Sequence, residues 1–229
     1  MMILYHCPGA RSSRCLWTMH ELGIADRVEL ITLSFPPRVT CPDYLKQNVL
    51  GTIPYFVDGD VRMTESVAIC VYLASRFPDA GPDAGGGLAI RPDEPDYGAY
   101  LNWLYHADAT LTFPQTVVLR YTLQEPGVAD AAAKGYARWF IARLRLLSQT
   151  LADGRPFLCG GRFTLADICI TYALFFGTTL QSEGRTLSEF YKPHVREYME
   201  RMLRRKAWAD ANQHTERSAA AFKDGGSKL

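Results

Sequence analysis

The stretch that most limits what this chain can fold into begins at Gly51 and ends at Phe77. Ile53-Pro54 is an X-Pro step set just before an apolar run. Tyr55-Phe56-Val57 reads as a short strand, Asp58-Gly59 as a hairpin turn, and residues 61–63 as the return strand. Thr64-Glu65-Ser66 then opens a helix with apolar positions at Val67, Ile69, Cys70, Leu73 and Phe77, and Thr64 is placed to cap it. Glu65 and Ser66 fall in its first turn. Backbone N–H groups and the helix dipole favour a carboxylate ligand there.

The residues before this stretch supply its partners. Residues 2–5 read as an apolar strand, and Cys7-Pro-Gly-Ala-Arg as a loop. Ser12 or Ser13 is placed to cap a helix that runs to about Leu22, buries Leu16, Met19 and Trp17, and ends at Gly23. Residues 28–33 form a second strand, the parallel partner a βαβ unit requires. Phe35-Pro-Pro-Arg is a loop, and residues 41–48 are helical or irregular. The order β-α-β-α-β-β-α is that of the thioredoxin fold.

Residues 79–87 and 91–95 have linker composition, rich in Gly, Pro and Asp. This sets a thioredoxin-like domain at 1–80, a linker at 81–93 and an all-helical domain at 94–229, an α+β protein of two domains. Tyr100, Leu101, Leu104 and Leu111 have helical spacing over residues 97–119, with Pro114 expected to end or kink the helix. Trp139, Phe140, Leu144, Leu147 and Leu151 are expected on one face of a helix over 129–151. Thr164 and Asp167 form the S/T-x-x-acid capping pattern of a third helix, with Phe163 and Ile168 at the staple positions around it. Two further helices are expected, over about 195–203 and after Arg204-Arg-Lys-Ala-Trp, with a polar tail beyond about residue 217.

Composition excludes several functions. A net charge of +1 over 229 residues gives no electrostatic case for nucleic acid or an acidic membrane. No apolar run approaches the roughly 20 residues of a membrane helix, and the N-terminus enters a strand directly, which predicts a cytoplasmic protein without a signal peptide. The six cysteines show no C-x-x-C and no zinc spacing, so reduced thiols and no metal site are expected. Ser227-Lys-Leu spells a peroxisomal address that has meaning only in a eukaryote.

Together, Ile53-Pro54 and, 11 residues on, Glu65-Ser66, with the capped helix at Thr164, resemble the glutathione S-transferase superfamily over about residues 2–212. The resemblance implies a cis-proline at Pro54. It implies that the backbone of Ile53 holds the cysteinyl part of glutathione and that Glu65 and Ser66 hold the γ-glutamyl group. It implies a homodimer with glutathione as co-substrate and a hydrophobic electrophilic small molecule as partner.

Such chemistry requires glutathione as a thiolate. A free thiol has a pKa of about 8.5, so donors or a positive helix end must stabilise the anion. The family's donor lies in the loop after the first strand. Here Ser12 and Ser13 are the catalytic candidates, with Tyr5 in the strand as another. Counting back from His20-Glu-Leu-Gly, the catalytic cysteine position of the beta class is Arg11, which argues against mixed-disulfide chemistry on the protein. Cys7-Pro8 resembles the omega-type nucleophile but sits two residues too far from Leu22-Gly23, so a passive thiol is the competing reading. Arg38 is a candidate partner for the glycyl carboxylate, and Asp108 resembles the acid that reaches the γ-glutamyl amine of the partner subunit's glutathione. His106 shares a helix face with Asn102 and is read either as lining an electrophile pocket or as an unspecialised histidine. Trp103, Tyr105 and Phe113 are read as pocket or core. The functional expectation is glutathione conjugation. A glutathione-dependent disulfide reductase or peroxidase, or a non-catalytic binding module of the same fold, are the alternatives.

Overall fold

A computed structural model describes residues 1–81 and 87–212, so the Ser227-Lys-Leu terminus lies outside the described residues. The chain divides into two compact units: Met1–Ala89 together with the residues from Arg205 onward, and Ile90–Arg204.

The first unit contains β1 (Met2–His6), α1 (Ser12–Glu21), β2 (Val28–Thr32), α2 (Pro37–Thr40), β3 (Tyr55–Asp58), β4 (Val61–Met63) and α3 (Ser66–Arg76). Its sheet has the order β2-β1-β3-β4. β1 and β2 are parallel because α1 carries the chain back between them; β3 is antiparallel to β1 and β4. Leu4 and Phe56, opposite each other in the ladder, are both fully buried. Trp17 and Met19 of α1 and Ile69 and Leu73 of α3 are equally buried, and the two helices pack together.

Local signals set the β3–β4 turn with one shift. Asp58 pairs with Val61, so the two central residues are Gly59 and Asp60 rather than Asp58 and Gly59. Gly59 takes φ +57, which the first central position of a type II′ turn needs. Two caps also differ from expectation. Glu65, not Thr64, is the N-cap of α3, with extended backbone and no side-chain cap bond. Arg11, not a serine, is the N-cap of α1, because the helical winding already begins at Ser12. Residues 37–40 wind into a short helix where a loop was expected.

The second unit contains α4 (Tyr97–Tyr105), α5 (Phe113–Leu119), α6 (Asp130–Leu151), α7 (Leu165–Thr179), the short hairpin of β5 (Gln181–Ser182) and β6 (Arg185–Thr186), and α8 (Pro193–Leu203). Pro114 does not end the first of these helices. Winding continues from 97 to 124, with π-helical turns at His106–Thr112 and Arg120–Gln124. A proline ring clashes with the carbonyl four residues back. Widening the preceding turn takes the Thr110 carbonyl out of that register. On α6, Phe140, Leu144, Leu147 and Leu151 are buried, but Trp139 is 41% exposed. Neighbours on a helix lie about 100° apart, so Trp139 cannot share the face of Phe140.

α7 is the centre of this unit, and its capping box forms as the sequence predicts, with Thr164 as N-cap and Asp167 at the third helical position. Asp167 is wholly buried. Its carboxylate accepts from the backbone N–H of Thr164 at 2.9 Å, the Thr164 hydroxyl at 3.2 Å, the Leu158 N–H at 3.0 Å and the Tyr198 hydroxyl at 2.7 Å.

The last described helix, α9 (Lys206–Asn212), belongs with the first unit. Trp208 meets Trp17 edge to face at 4.9 Å. Arg205 clamps the Glu21 carboxylate through Nε at 2.6 Å and Nη2 at 2.9 Å, and Trp17 Nε1 donates to the same carboxylate at 2.9 Å. Among the described residues no helix is long and apolar enough to cross a membrane.

Candidate functional site

The site expected from the sequence is built in the first unit from two helix starts and one loop. The loop is 47–54. Tyr44 donates from its hydroxyl to the Thr52 carbonyl at 2.7 Å, and Asn48 Nδ2 reaches the same carbonyl at 3.0 Å. The Asn48 side chain also accepts the Leu50 N–H at 3.1 Å. Gly51 adopts φ +61, and a Cβ there would come within 2.8 Å of Arg38 Cβ. These ties deliver the chain to Ile53-Pro54, whose peptide bond is cis. Ile53 packs with Cys7, Tyr44 and Tyr55 in one apolar cluster, and the β3 ladder starts only at Tyr55. Gly51→Ala is therefore expected to cost about 1–3 kcal/mol, from the left-handed backbone alone and before the clash with Arg38 is counted. Equilibrium denaturation reads this, and a variant as stable as the parent would show that the loop is not held as described.

At the start of α3, Glu65 is exposed and its carboxylate has no side-chain partner among the described residues. Its carbonyl accepts the first helical bond, from Ile69, at 2.9 Å. Ser66 is buried, and its hydroxyl accepts from Nη1 of Arg14 at 3.1 Å. Arg14 is itself fully buried on α1. A guanidinium therefore lies beneath the N-terminus of α3, where free N–H groups already favour an anion. Sequence reasoning missed Arg14, and no pattern in the chain singles it out from any other arginine on a helix.

At the start of α1 the two serines differ. Ser12 is fully buried, with its Oγ 2.8 Å from His6 Nδ1. The same Oγ accepts the Cys7 N–H at 3.2 Å and lies 3.3 Å from the Cys7 carbonyl. Its hydroxyl closes the loop between β1 and α1 rather than capping the helix. The Ser13 hydroxyl is buried and has no hydrogen-bond partner among the described residues. Arg11 stands at the N-cap itself.

The other candidates fall out as follows. Tyr5, partly buried, packs its ring against those of Tyr44 and Tyr55 at 5.4 and 5.6 Å. Cys7 is fully buried, and burial pushes its thiol up to about 12, which fits the passive reading. Arg38 lies over the Gly51 loop with an exposed head. Asp108 is in the second unit, half-buried in the π-helical turn. Trp103 is core, whereas Tyr105 and Phe113 are exposed. No disulfide joins any of the six cysteines.

Comparison with known proteins bears on the family of the chain. The family described as glutathione S-transferase, N-terminal domain, matches residues 8–76, and the glutathione S-transferase C-terminal domain matches 140–201. Glutathione S-transferase F14 of Arabidopsis thaliana is 25% identical over 70% of this chain and 63% of its own length. Elongation factor 1-gamma of Prunus avium is 32% identical over 69% of this chain, which spans only 35% of that protein. Glutathione S-transferase 3 of Zea mays is 31% identical over 73% of each chain. Among solved structures, the glutathione transferase URE2P6 of Phanerochaete chrysosporium, in complex with oxidized glutathione, superposes with a TM-score of 0.76 at 23% identity, covering 94% of this chain and 96% of that one. This chain belongs to the glutathione S-transferase family.

Proposed function

We propose that this protein is a cytoplasmic, homodimeric glutathione transferase acting on a hydrophobic electrophilic small molecule. The observation that carries the reading is the start of α3: an exposed, unpartnered Glu65 carboxylate beside a Ser66 hydroxyl held by the buried Arg14. The γ-glutamyl end of glutathione carries an ammonium and a carboxylate on one carbon. Glu65 suits the ammonium; Ser66, the α3 N–H groups and the Arg14 charge suit the carboxylate. The residues present therefore fit the co-substrate. The backbone of Ile53, ahead of cis-Pro54, takes the cysteinyl part, and Arg38 takes the glycyl carboxylate. Asp108 reaches the γ-glutamyl amine across the dimer.

Bound glutathione supplies a thiolate that attacks the electrophilic carbon. The start of α1 lowers the cost of that anion through its free N–H groups, the Arg11 charge and the hydroxyls of Ser12 and Ser13. Cys7, buried and with its thiol pushed up, forms no bond in this scheme. A second reading, a glutathione-binding module without turnover, is favoured by the likeness to elongation factor 1-gamma. A disulfide reductase or peroxidase using the same bound thiol is a third. Calorimetric titration with glutathione, followed by assays with an aryl halide, a disulfide and a hydroperoxide, separates the three. Absence of glutathione binding removes all of them.

Ser12 and Ser13 are tested through the bound thiol, because thiolate absorbs in the ultraviolet and thiol does not. Loss of the donating hydroxyl is expected to raise the pKa of bound glutathione, with each unit corresponding to about 1.4 kcal/mol. Turnover at neutral pH falls accordingly and recovers in alkali. Ser12→Ala also frees the loop held through His6 and Cys7, whereas Ser13→Ala breaks no bond within the protein. Unshifted titrations in both variants would leave the backbone N–H groups and Arg11 as the stabilising groups.

A further inference from the structure

The hairpin after α7 turns through Glu183 and Gly184, both with positive φ, +53 and +77. A two-residue turn of type I′ needs that, and Asn-Gly or Gly-Gly supplies it at least cost. Glu183 is the one non-glycine residue in the left-handed region among the described residues. Strain of this kind gathers at binding sites and ligand clamps. Glu183 lines a cavity of about 430 Å³ in the second unit, within the size range of small-molecule sites. The other walls are the π-helical turn at Arg120–Gln124, with Thr122 and Leu123, and the first turns of α6, with Asp130 and Lys134. We propose that this cavity binds a free α-amino acid with an apolar side chain, its ammonium on Asp130 and Glu183, its carboxylate on Lys134 and its side chain against Leu123 and Ala133.

The charges of the walls select this ligand. Asp130 and Lys134 are one helical turn apart and share a face of α6. Lys134 Nζ stands 3.8 Å from Glu183 Oε1, too far for a hydrogen bond, and both side chains are about half exposed. A ligand carboxylate can therefore accept from Lys134 without breaking a hydrogen bond between the two. Asp130 Oδ1 accepts the Gly127 N–H at 3.1 Å, which orients the carboxylate and leaves Oδ2 to accept from a ligand. A zwitterion uses both signs of charge at once. A simple amine would set a second cation beside Lys134, and a simple carboxylate would face two acids, each a like-charge contact that costs affinity. The apolar part of the ligand has its own wall, since Leu123 is exposed at 55% and Ala133 lies beside it on the lining. Part of the wall is also wound as a π-helix, a local form frequent at functional sites.

The experiment is calorimetric titration of the full chain with L-leucine, beside 4-methylpentanoate, which lacks the ammonium, and 3-methylbutylamine, which lacks the carboxylate. Saturable binding of one leucine per chain is expected. Affinity is expected to fall about tenfold or more, roughly 1.4 kcal/mol, for each of the two relatives and for Lys134→Ala and Glu183→Asn. Asparagine suits the left-handed position better than glutamate. The denaturation midpoint of Glu183→Asn is therefore expected to equal or exceed that of the parent while its leucine binding falls. A side chain with only a structural role in the turn would not separate the two readouts. Glutathione affinity stays at the parent value in both variants, which keeps this inference apart from the glutathione reading. Absence of saturable leucine binding overturns the proposal. So does a leucine affinity unchanged in Lys134→Ala and Glu183→Asn, and its loss in Glu65→Ala would then put the amino acid at the start of α3.

Discussion

Asp167→Ala is expected to lower the unfolding free energy by about 3–5 kcal/mol, the scale for removing one partner from a buried charged network. The carboxylate takes four hydrogen bonds, and four donor groups lose their acceptor with it: the Leu158 N–H, the Tyr198 hydroxyl, the Thr164 N–H and the Thr164 hydroxyl. Each buried donor left alone costs about 1–3 kcal/mol. The capping box of α7 disappears as well. Urea denaturation measures this, and a loss under about 1 kcal/mol at unchanged slope would mean that water replaces the carboxylate. Burial lifts Asp167 to about 6, although all four bonds pull the other way. A folded-state pKa above the unfolded one stabilises below the unfolded value and loses that contribution as pH rises through the folded value. The cost of Asp167→Ala is accordingly expected to be larger at pH 4 than at pH 7.

Glu65→Ala is expected to raise the dissociation constant for glutathione by about ten- to a hundredfold, with little change in stability. A charge-assisted anchor contributes about 1.5–3 kcal/mol, and 1.4 kcal/mol is tenfold. Glu65 makes no side-chain cap bond, and its carbonyl, which the helix does use, remains in the variant. Calorimetry reads the affinity and the denaturation midpoint reads the fold. A folded variant with the parent's affinity would move the γ-glutamyl group away from α3 and take the rest of the proposed site with it.

What could be read from the sequence was local. Ile53-Pro54, the Asp-Gly turn and Thr164-x-x-Asp167 each act within a few residues, and each formed, with the turn moved by one position. What could not be read depends on partners far along the chain. Arg14 is 52 residues from Ser66, and nothing near it marks it for burial. Ser12 resembles a helix cap by position, but its hydroxyl turns back to His6 and Cys7, a choice set by how the loop closes. Trp139 resembles core by hydrophobicity, and only the exact phase of α6 shows it facing outward. Pro114 reads as an end or a kink by its ring alone, and the winding passes through it because the turn before it is wider.

The clasp of α9 on α1 has a consequence for the order in which this protein is made. Glu21 and Arg205 are 184 residues apart in sequence. The first unit is therefore interrupted: its last described helix is translated only after the entire second unit. At roughly 5–20 residues per second, Trp17 and Glu21 wait on the order of ten seconds or more for Arg205 and Trp208. During that time the nascent sheet and its helices lack one of their packing partners, while the helical unit can already close on itself. A ribosome that stops before residue 205 leaves a second unit with all its elements and a first unit without α9.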